Sequence, residues 1–319
     1  MSAAFYTVAD DRYFLGAVGL VNSLRLIGHD EPVYILDCGL TAKQRDLLAP
    51  GGVEFVDGPR DTPGNLLKTI APRSHPAEGV VLIDADIIVT RPLGELVERG
   101  SSGEVIAFGT GMDRFEPAWG ELGMGAASPR AYLCSALVFC GGERGAEIVR
   151  LMDERRDRVD WERTYWRAND EDYPLVHADQ DLFNAVLTTS VEPELITELE
   201  GRLMAFPPFT GLRVTNDRSL RCEYGDGAEP YVLHHWNAKP WLQPSHHGPY
   251  SRLLRRLLLG SDVPVRVPEE MIPLRLRSGP LAWADRMRVN ARERLRWHVG
   301  EPLAVRVGRS ARHEPGAAG

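Results

Sequence analysis

The sequence predicts an α/β protein organised on a parallel sheet with right-handed crossovers. Strand-like and helix-like segments alternate from the start of the chain. The run Val80-Val81-Leu82-Ile83-Asp84-Ala85-Asp86-Ile87-Ile88-Val89 has the apolar, Val- and Ile-rich character of a buried central strand. At 319 residues the chain can hold one such core with an appended subdomain.

In chain order, 4–9 reads as a first strand, and Asp10-Asp11-Arg12-Tyr13 turns into a helix from about Phe14 to Ile27 that aims Leu20, Val21, Leu24 and Ile27 at the sheet. Residues 32–37 are a second strand, Thr41-Ala42-Lys43-Gln44 a capping box opening a helix through Leu48, and 53–56 a third strand. A helix is expected over 65–71, then the apolar run, with further strands at 104–108 and 132–139. The stretch between them, with Gly109, Gly111, Trp119, Gly123 and Gly125, reads as a long loop able to cover a site. An amphipathic helix is expected over 143–158, another opening at His177-Ala178-Asp179-Gln180-Asp181, and a short strand ending in His234-His235.

Composition narrows the function. A net charge of -8 argues against nucleic acid as the main partner, although Arg outnumbers acids from about Ser251 onward. Cys38, Cys134, Cys140 and Cys222 have neither metal-ligand pairing nor the density of a disulfide scaffold, which suits free thiols in a reducing compartment. With no basic-then-apolar leader and no run of about 18 apolar residues, the expected location is cytoplasmic, or peripheral on the inner face of a membrane.

The chemistry concentrates in four places. Asp84 and Asp86, one residue apart at the end of an apolar strand, are expensive unless a cation lies between them, and a divalent metal carrying a diphosphate is the natural one at the carboxyl edge of such a sheet. Lys68 is either a solvated lysine or a phosphate or sugar contact. Asp179 and Asp181 either complement a helix dipole or face a ligand. His234-His235-Trp236-Asn237-Ala238-Lys239-Pro240-Trp241 offers an imidazole for a metal and an ammonium for phosphate oxygen. No glycine-rich phosphate loop is present, so metal and side-chain cations must hold any phosphate.

These segments together resemble the family 8 retaining glycosyltransferases, the group that includes glycogenin and the bacterial lipopolysaccharide galactosyl- and glucosyltransferases. Val8-Ala9-Asp10-Asp11-Arg12-Tyr13 resembles the family's uridine-binding turn, and Asp84-Ala85-Asp86 its metal-binding Asp-x-Asp. Asp179-Gln180-Asp181 with Asn184 resembles its Asp-Gln-x-x-x-Asn segment, and His234 through Trp241 its His…Lys-Pro-Trp signature, in the family's order. The resemblance implies a GT-A fold: a Rossmann-like mixed central sheet flanked by helices, with a nucleotide half over about 1–100, an acceptor half over about 101–250, and a basic helical C-terminal extension over 251–319. It implies a UDP-sugar donor, a saccharide, lipid-linked or protein acceptor, and Mn²⁺, with Mg²⁺ the alternative. Asp10 would bond the uracil, Tyr13 stack on it and Val8 position it. Asp84, Ala85 and Asp86 would meet the donor, Asp84, Asp86 and His234 (or His235) hold the metal, and Lys239 the diphosphate. Lys68 would contact donor sugar and phosphate, Asp179 the sugar hydroxyls, and Gln180 lie near the anomeric carbon. Retention is expected by same-face attack, with Asp181 or Asp179 as the covalent alternative. The chain departs from the family in a His-to-Lys spacing one residue shorter, in Cys134-Ser135-Ala136 where an Asn-x-Gly is usual, and in Arg12 where Asn is often found.

Two other functions fit parts of the pattern: a non-catalytic sugar-nucleotide-binding module, and a haloacid dehalogenase-type phosphatase, which also uses Asp-x-Asp after an apolar strand. In the tail, Trp283, Met287, Ala291, Leu295 and Val299 form a helical stripe beside Arg286, Arg288, Arg292 and Arg296, suited either to an anionic membrane surface or to the acidic body of the protein. The end, 309–319, reads as disordered.

Overall fold

The structure, a computed structural model, describes residues 2–122, 125–236, 238–243 and 248–295. Gly123, Asn237, Arg296, Val299 and the expected disorder over 309–319 lie outside these residues.

The first crossover units form as the pattern predicts: β1 (Ala3–Ala9), α1 (Phe14–Ile27), β2 (Val33–Asp37), α2 (Ala42–Leu48) and β3 (Val53–Asp57). The capping box closes, with the Gln44 backbone N–H donating to Thr41 Oγ1 at 3.2 Å and the Thr41 N–H to Gln44 Oε1 at 2.8 Å. The helix expected over 65–71 is instead a 3₁₀ turn, Gly64–Leu67, followed by α3 (Ile70–Ser74). Pro72 explains the break, because its ring clashes with the carbonyl of Lys68 in a continuous helix but fits the first turn of a new one.

The apolar run forms two strands, not one. β4 (Gly79–Ile83) lies in the main sheet and β5 (Ile87–Val89) in a second sheet, separated by a turn in which Ile87 N–H donates to the Asp84 carbonyl at 3.1 Å. Then follow α4 (Gly94–Ser101), β6 (Val105–Gly109), β7 (Leu133–Gly141), α5 (Gly142–Arg155) and α6 (Asp179–Ser190). After them come β8 (Ile196–Leu199), β9 (Met204–Ala205), β10 (Arg213–Asn216), β11 (Arg221–Glu223), β12 (Val232–His234), α7 (Pro249–Leu259) and α8 (Pro280–Leu295).

The main sheet has the order β3-β2-β1-β4-β7-β6-β8 and is mixed. Its first four strands are parallel, β7 runs antiparallel to both β4 and β6, and β8 is parallel to β6. β7 can run backwards because a loop, not a crossover helix, connects it to β6. Side chains of β4 alternate between the two faces: Val81 and Ile83 join the core under α1, while Val80 and Leu82 join the core under α5 and α6.

The segment beyond residue 250, expected as an extension, begins as part of this core. Tyr250, Leu253, Leu254, Leu257 and Leu258 of α7 share one apolar cluster with Leu20, Leu24 and Val81, and the cluster continues to Leu276. Buried Asn22 on α1 ties the two ends of the chain together. Its Nδ2 donates to the carbonyls of Leu257 at 2.9 Å and Val265 at 2.8 Å, and its Oδ1 accepts from Val265 N–H at 2.9 Å. α8 packs through Ala282 and Val289, so the expected stripe faces outward, with Trp283 59% and Met287 50% exposed. Among the described residues, no helix is long and apolar enough to cross a membrane.

Asn22→Ala strands three buried backbone groups, each costing about 1–3 kcal/mol when left unpaired. The expected outcome in urea unfolding is a loss of about 3 kcal/mol or more. A loss below about 1 kcal/mol would show that the bridge contributes little.

Candidate functional site

The site forms where the two sheets meet. β12 pairs antiparallel with β5 so that His234 stands opposite Ile87, the residue after Asp86, and His235 N–H donates to the Asp86 carbonyl at 3.2 Å. This pairing brings together residues about 150 positions apart in sequence. One donor atom each from Asp84, Asp86 and His234 lie within 4.8 Å of one another. His234 Nε2 is 3.3 Å from Asp86 Oδ1 and 3.8 Å from Asp84 Oδ2. Buried Asp86 Oδ1 has no hydrogen-bond partner among the described residues, although the imidazole nitrogen faces it. A carboxylate oxygen and an imidazole nitrogen that face each other without a hydrogen bond suit joint ligation of a cation, and two carboxylates with one imidazole are a donor set a divalent metal takes. Of the two histidines, the site takes His234; His235 turns its ring against Phe209 and Tyr250.

Lys68, buried, lies on the other side of Asp84. Its Nζ is 2.7 Å from Asp84 Oδ1 and 2.8 Å from Asp179 Oδ2, and it donates to the Ser135 carbonyl at 3.2 Å. All three of its protons are therefore engaged, and it acts as a strut between two carboxylates. Asp179 also accepts from Ser135 Oγ at 2.7 Å and from Asn65 Nδ2 at 3.2 Å.

Asp181 occupies a different environment. It is 0% exposed and accepts from Arg114 Nε at 2.7 Å, Arg114 Nη2 at 3.1 Å, Tyr132 Oη at 2.7 Å and the His177 backbone N–H at 2.7 Å. Ala178, which precedes α6, has φ 52° and ψ -117°, a conformation that favours glycine and costs about 1–3 kcal/mol for other residues. Asn184 secures the helix against β7, donating to the Leu133 carbonyl and accepting from the Leu133 N–H, both at 2.8 Å.

On the third side, Lys239 ion-pairs with Asp86 Oδ2 and donates to the His235 carbonyl at 2.6 Å, leaving one proton unengaged among the described residues. Its Nζ lies 5.7 Å from the centre of the Tyr13 ring, which meets Trp241 edge-on at 6.2 Å. Asp10 Oδ1 accepts from Tyr13 N–H at 2.9 Å, fixing the turn between β1 and α1, with half-buried Val8 on the strand just before it. Trp241 Nε1 donates to the Arg12 carbonyl at 2.7 Å. Gly16 permits this assembly: a Cβ there would lie 2.6 Å from the Ala85 carbonyl and 2.8 Å from the Trp241 ring, so any larger residue pushes the Asp84-Ala85-Asp86 turn away from α1.

The charges are strongly coupled. Burial alone would raise the Asp86 carboxyl, but Lys239 and His234 hold it well below the usual carboxylate range. Burial raises Asp84, and Lys68 only partly opposes it. Burial would depress His234, yet Asp86 lifts it to about 10, while burial and Lys239 push His235 down to about 4. Lys68 is raised because Asp179 and Asp84 outweigh its burial.

The sequence reading missed Arg114, Tyr132, Ser135 and Asn65 as members of the site. Arg114 lies in a loop 67 positions from Asp181, and no local pattern announces that pairing. Tyr132 and Ser135 had a signal: a polar residue and a tyrosine at the mouth of an otherwise apolar strand.

No protein-family model matches the chain, and no curated protein matches it. Among solved structures it is similar to the galactosyltransferase LgtC in complex with donor and acceptor sugar analogues, at 18% identity and a TM-score of 0.56, over 84% of this chain and 98% of that one. It is also similar to the bifunctional glycosyltransferase WbbM, at 15% identity and a TM-score of 0.52, over 85% of this chain but only 51% of WbbM. The chain thus has the GT-A fold of solved glycosyltransferases, with an Asp-Ala-Asp and His group at the junction of its seven-stranded and three-stranded sheets.

Proposed function

We propose that this protein is a retaining glycosyltransferase that moves a hexose from a UDP-sugar to a saccharide, lipid-linked or protein acceptor, using Mn²⁺. The observation that carries this reading is the convergence of Asp84, Asp86, His234 and Lys239 on one point of a GT-A fold. Mixed oxygen and nitrogen donors favour Mn²⁺ over Mg²⁺, which prefers oxygen and water. Asp84, Asp86 and His234 would hold the ion, which supplies electrostatic stabilisation of the charge developing on the departing diphosphate. Lys239 offers its remaining proton to the same phosphate, and Tyr13 presents its ring to the uracil with Asp10 and Val8 framing the turn.

Asp179, held by Lys68 and Ser135, is placed to bind sugar hydroxyls, and Gln180 follows it toward the anomeric carbon. Asp181 has its lone pairs engaged by Arg114, Tyr132 and the His177 N–H, which makes it an orienting group and a poor nucleophile. This supports same-face attack over a covalent intermediate. The likeness to sugar transferases leaves the phosphatase reading without support. For a lipid-linked acceptor the enzyme would work at the inner face of a membrane, where exposed Trp283 and Met287 beside Arg288 give an apolar and basic contact.

UDP-glucose, UDP-galactose and their N-acetylated counterparts, assayed with Mn²⁺, should include at least one donor that the protein hydrolyses or transfers. Asp86→Asn should lower that rate by about 10³-fold or more, the equivalent of several kcal/mol of lost charge stabilisation. Calorimetric binding of UDP without turnover of any donor would instead establish a binding module. Lys68→Met leaves Asp84 and Asp179 buried without their shared cation, so chelator-treated protein should lose about 3–5 kcal/mol of unfolding free energy. A change under about 1 kcal/mol in urea would remove Lys68 from its role as strut. Deleting residues 280–319 should abolish co-sedimentation with anionic vesicles; undiminished co-sedimentation would exclude α8 as the membrane contact.

A further inference from the structure

A second concentration of charge borders the outer face of α7. A cavity of about 540 Å³ is lined by Arg218, Arg252, Arg255 and Arg256, with Asp217, Asp262, Ser261 and Ser278 on its walls. Two of the arginines are matched: Arg252 Nη2 is 2.6 Å from Asp217 Oδ2, and Arg256 Nη2 is 2.6 Å from Asp262 Oδ2. Four guanidinium groups against two carboxylates leave the cavity two positive charges in excess, in a chain whose net charge is -8. Arg266 adds a further guanidinium at the rim, donating to the Ser261 carbonyl at 2.7 Å.

The donors are also incompletely used. Arg255 Nε and Arg256 Nη1 are buried and have no hydrogen-bond partner among the described residues. Unpaired buried donors are costly, and more so on a charged group. A phosphate dianion in the cavity would offset the excess positive charge, and its oxygens match the forked geometry of guanidinium. Gly260 shapes the floor: a Cβ there would lie 2.9 Å from the Arg256 carbonyl and would collide with the Arg256 guanidinium.

We propose that this cavity binds the phosphate group of a phosphate monoester, with the guanidinium groups of Arg255 and Arg256 holding the phosphate. The proposal is independent of the sugar-transfer reaction, since no residue of the cavity belongs to the Asp84, Asp86 and His234 group. The same chemistry is offered by a soluble polyol phosphate and by an anionic lipid headgroup.

The test is calorimetric titration of the full chain with glycerol 3-phosphate in excess EDTA, which keeps the divalent site out of the measurement. Wild-type protein should bind, and the double variant Arg255→Gln, Arg256→Gln should bind at least tenfold more weakly. Exposed Ser278 allows a second variant that leaves the α7 packing intact: Ser278→Asp adds a negative charge at the wall and should also weaken binding at least tenfold. No binding by wild-type protein, or undiminished affinity in the folded Ser278→Asp variant, overturns the proposal. Phosphatidic acid vesicles separate the two sources. Co-sedimentation that glycerol 3-phosphate displaces and Ser278→Asp weakens assigns a lipid-borne phosphate. Calorimetric binding without such co-sedimentation assigns a soluble ester.

Discussion

Three carboxylates, Asp84, Asp86 and Asp179, crowd one site, and the structure around them is what permits it. Each is matched by a cation from elsewhere in the chain: Lys68 between Asp84 and Asp179, and Lys239 and the His234 imidazole against Asp86. Separating one member of such a set leaves an uncompensated buried charge, at a cost of about 3–5 kcal/mol. The six groups come from the turn before α3, the β4 to β5 turn, the start of α6, the end of β12 and the loop after it. The charge balance therefore fastens together elements that the backbone alone does not join, and it does so where the apolar core gives way to polar groups.

The parallel half of the sheet was legible because its signals are local. A capping box, an apolar period of 3.6 and a Val-rich strand each occupy a handful of neighbouring residues, and β1 through β3 appear within a residue or two of where these signals place them. The split of the apolar run into β4 and β5 was not legible, since β5 is as apolar as β4 and differs only in its partner, β12, which lies far along the chain. For the same reason the direction of β7 could not be read: an apolar strand looks alike in parallel and antiparallel company.

The site divides along the same line. Asp84 and Asp86 announced themselves because two acids follow an apolar run, and His234, Lys239 and Trp241 because cations and aromatics cluster after a short strand. Their convergence on one point could be proposed only from the resemblance, and the pairing of β12 with β5 supplies its physical cause. Arg114 had no such signal. Its charge reads as one more solvated arginine until Asp181 is seen to be fully buried against it.

Asp179 and Asp181 show how one helical turn yields two environments. Residues two apart on a helix point to different sides, so the two acids take different partners. Asp179 meets Lys68 and Ser135 beside Asp84, and Asp181 turns into the protein, where Arg114, Tyr132 and the His177 N–H receive it. The backbone enters the helix through Ala178, which at φ 52° takes strain in a wholly buried position. The ionic and hydrogen-bonded contacts on either side of it are what hold the strained entry in place. Under the transfer reading, that entry would present Asp179 to the sugar while keeping the second acid out of reach of the anomeric carbon. A carboxylate so thoroughly engaged cannot attack without surrendering Arg114, so under that reading the strain at Ala178 and a same-face mechanism would be two consequences of one arrangement.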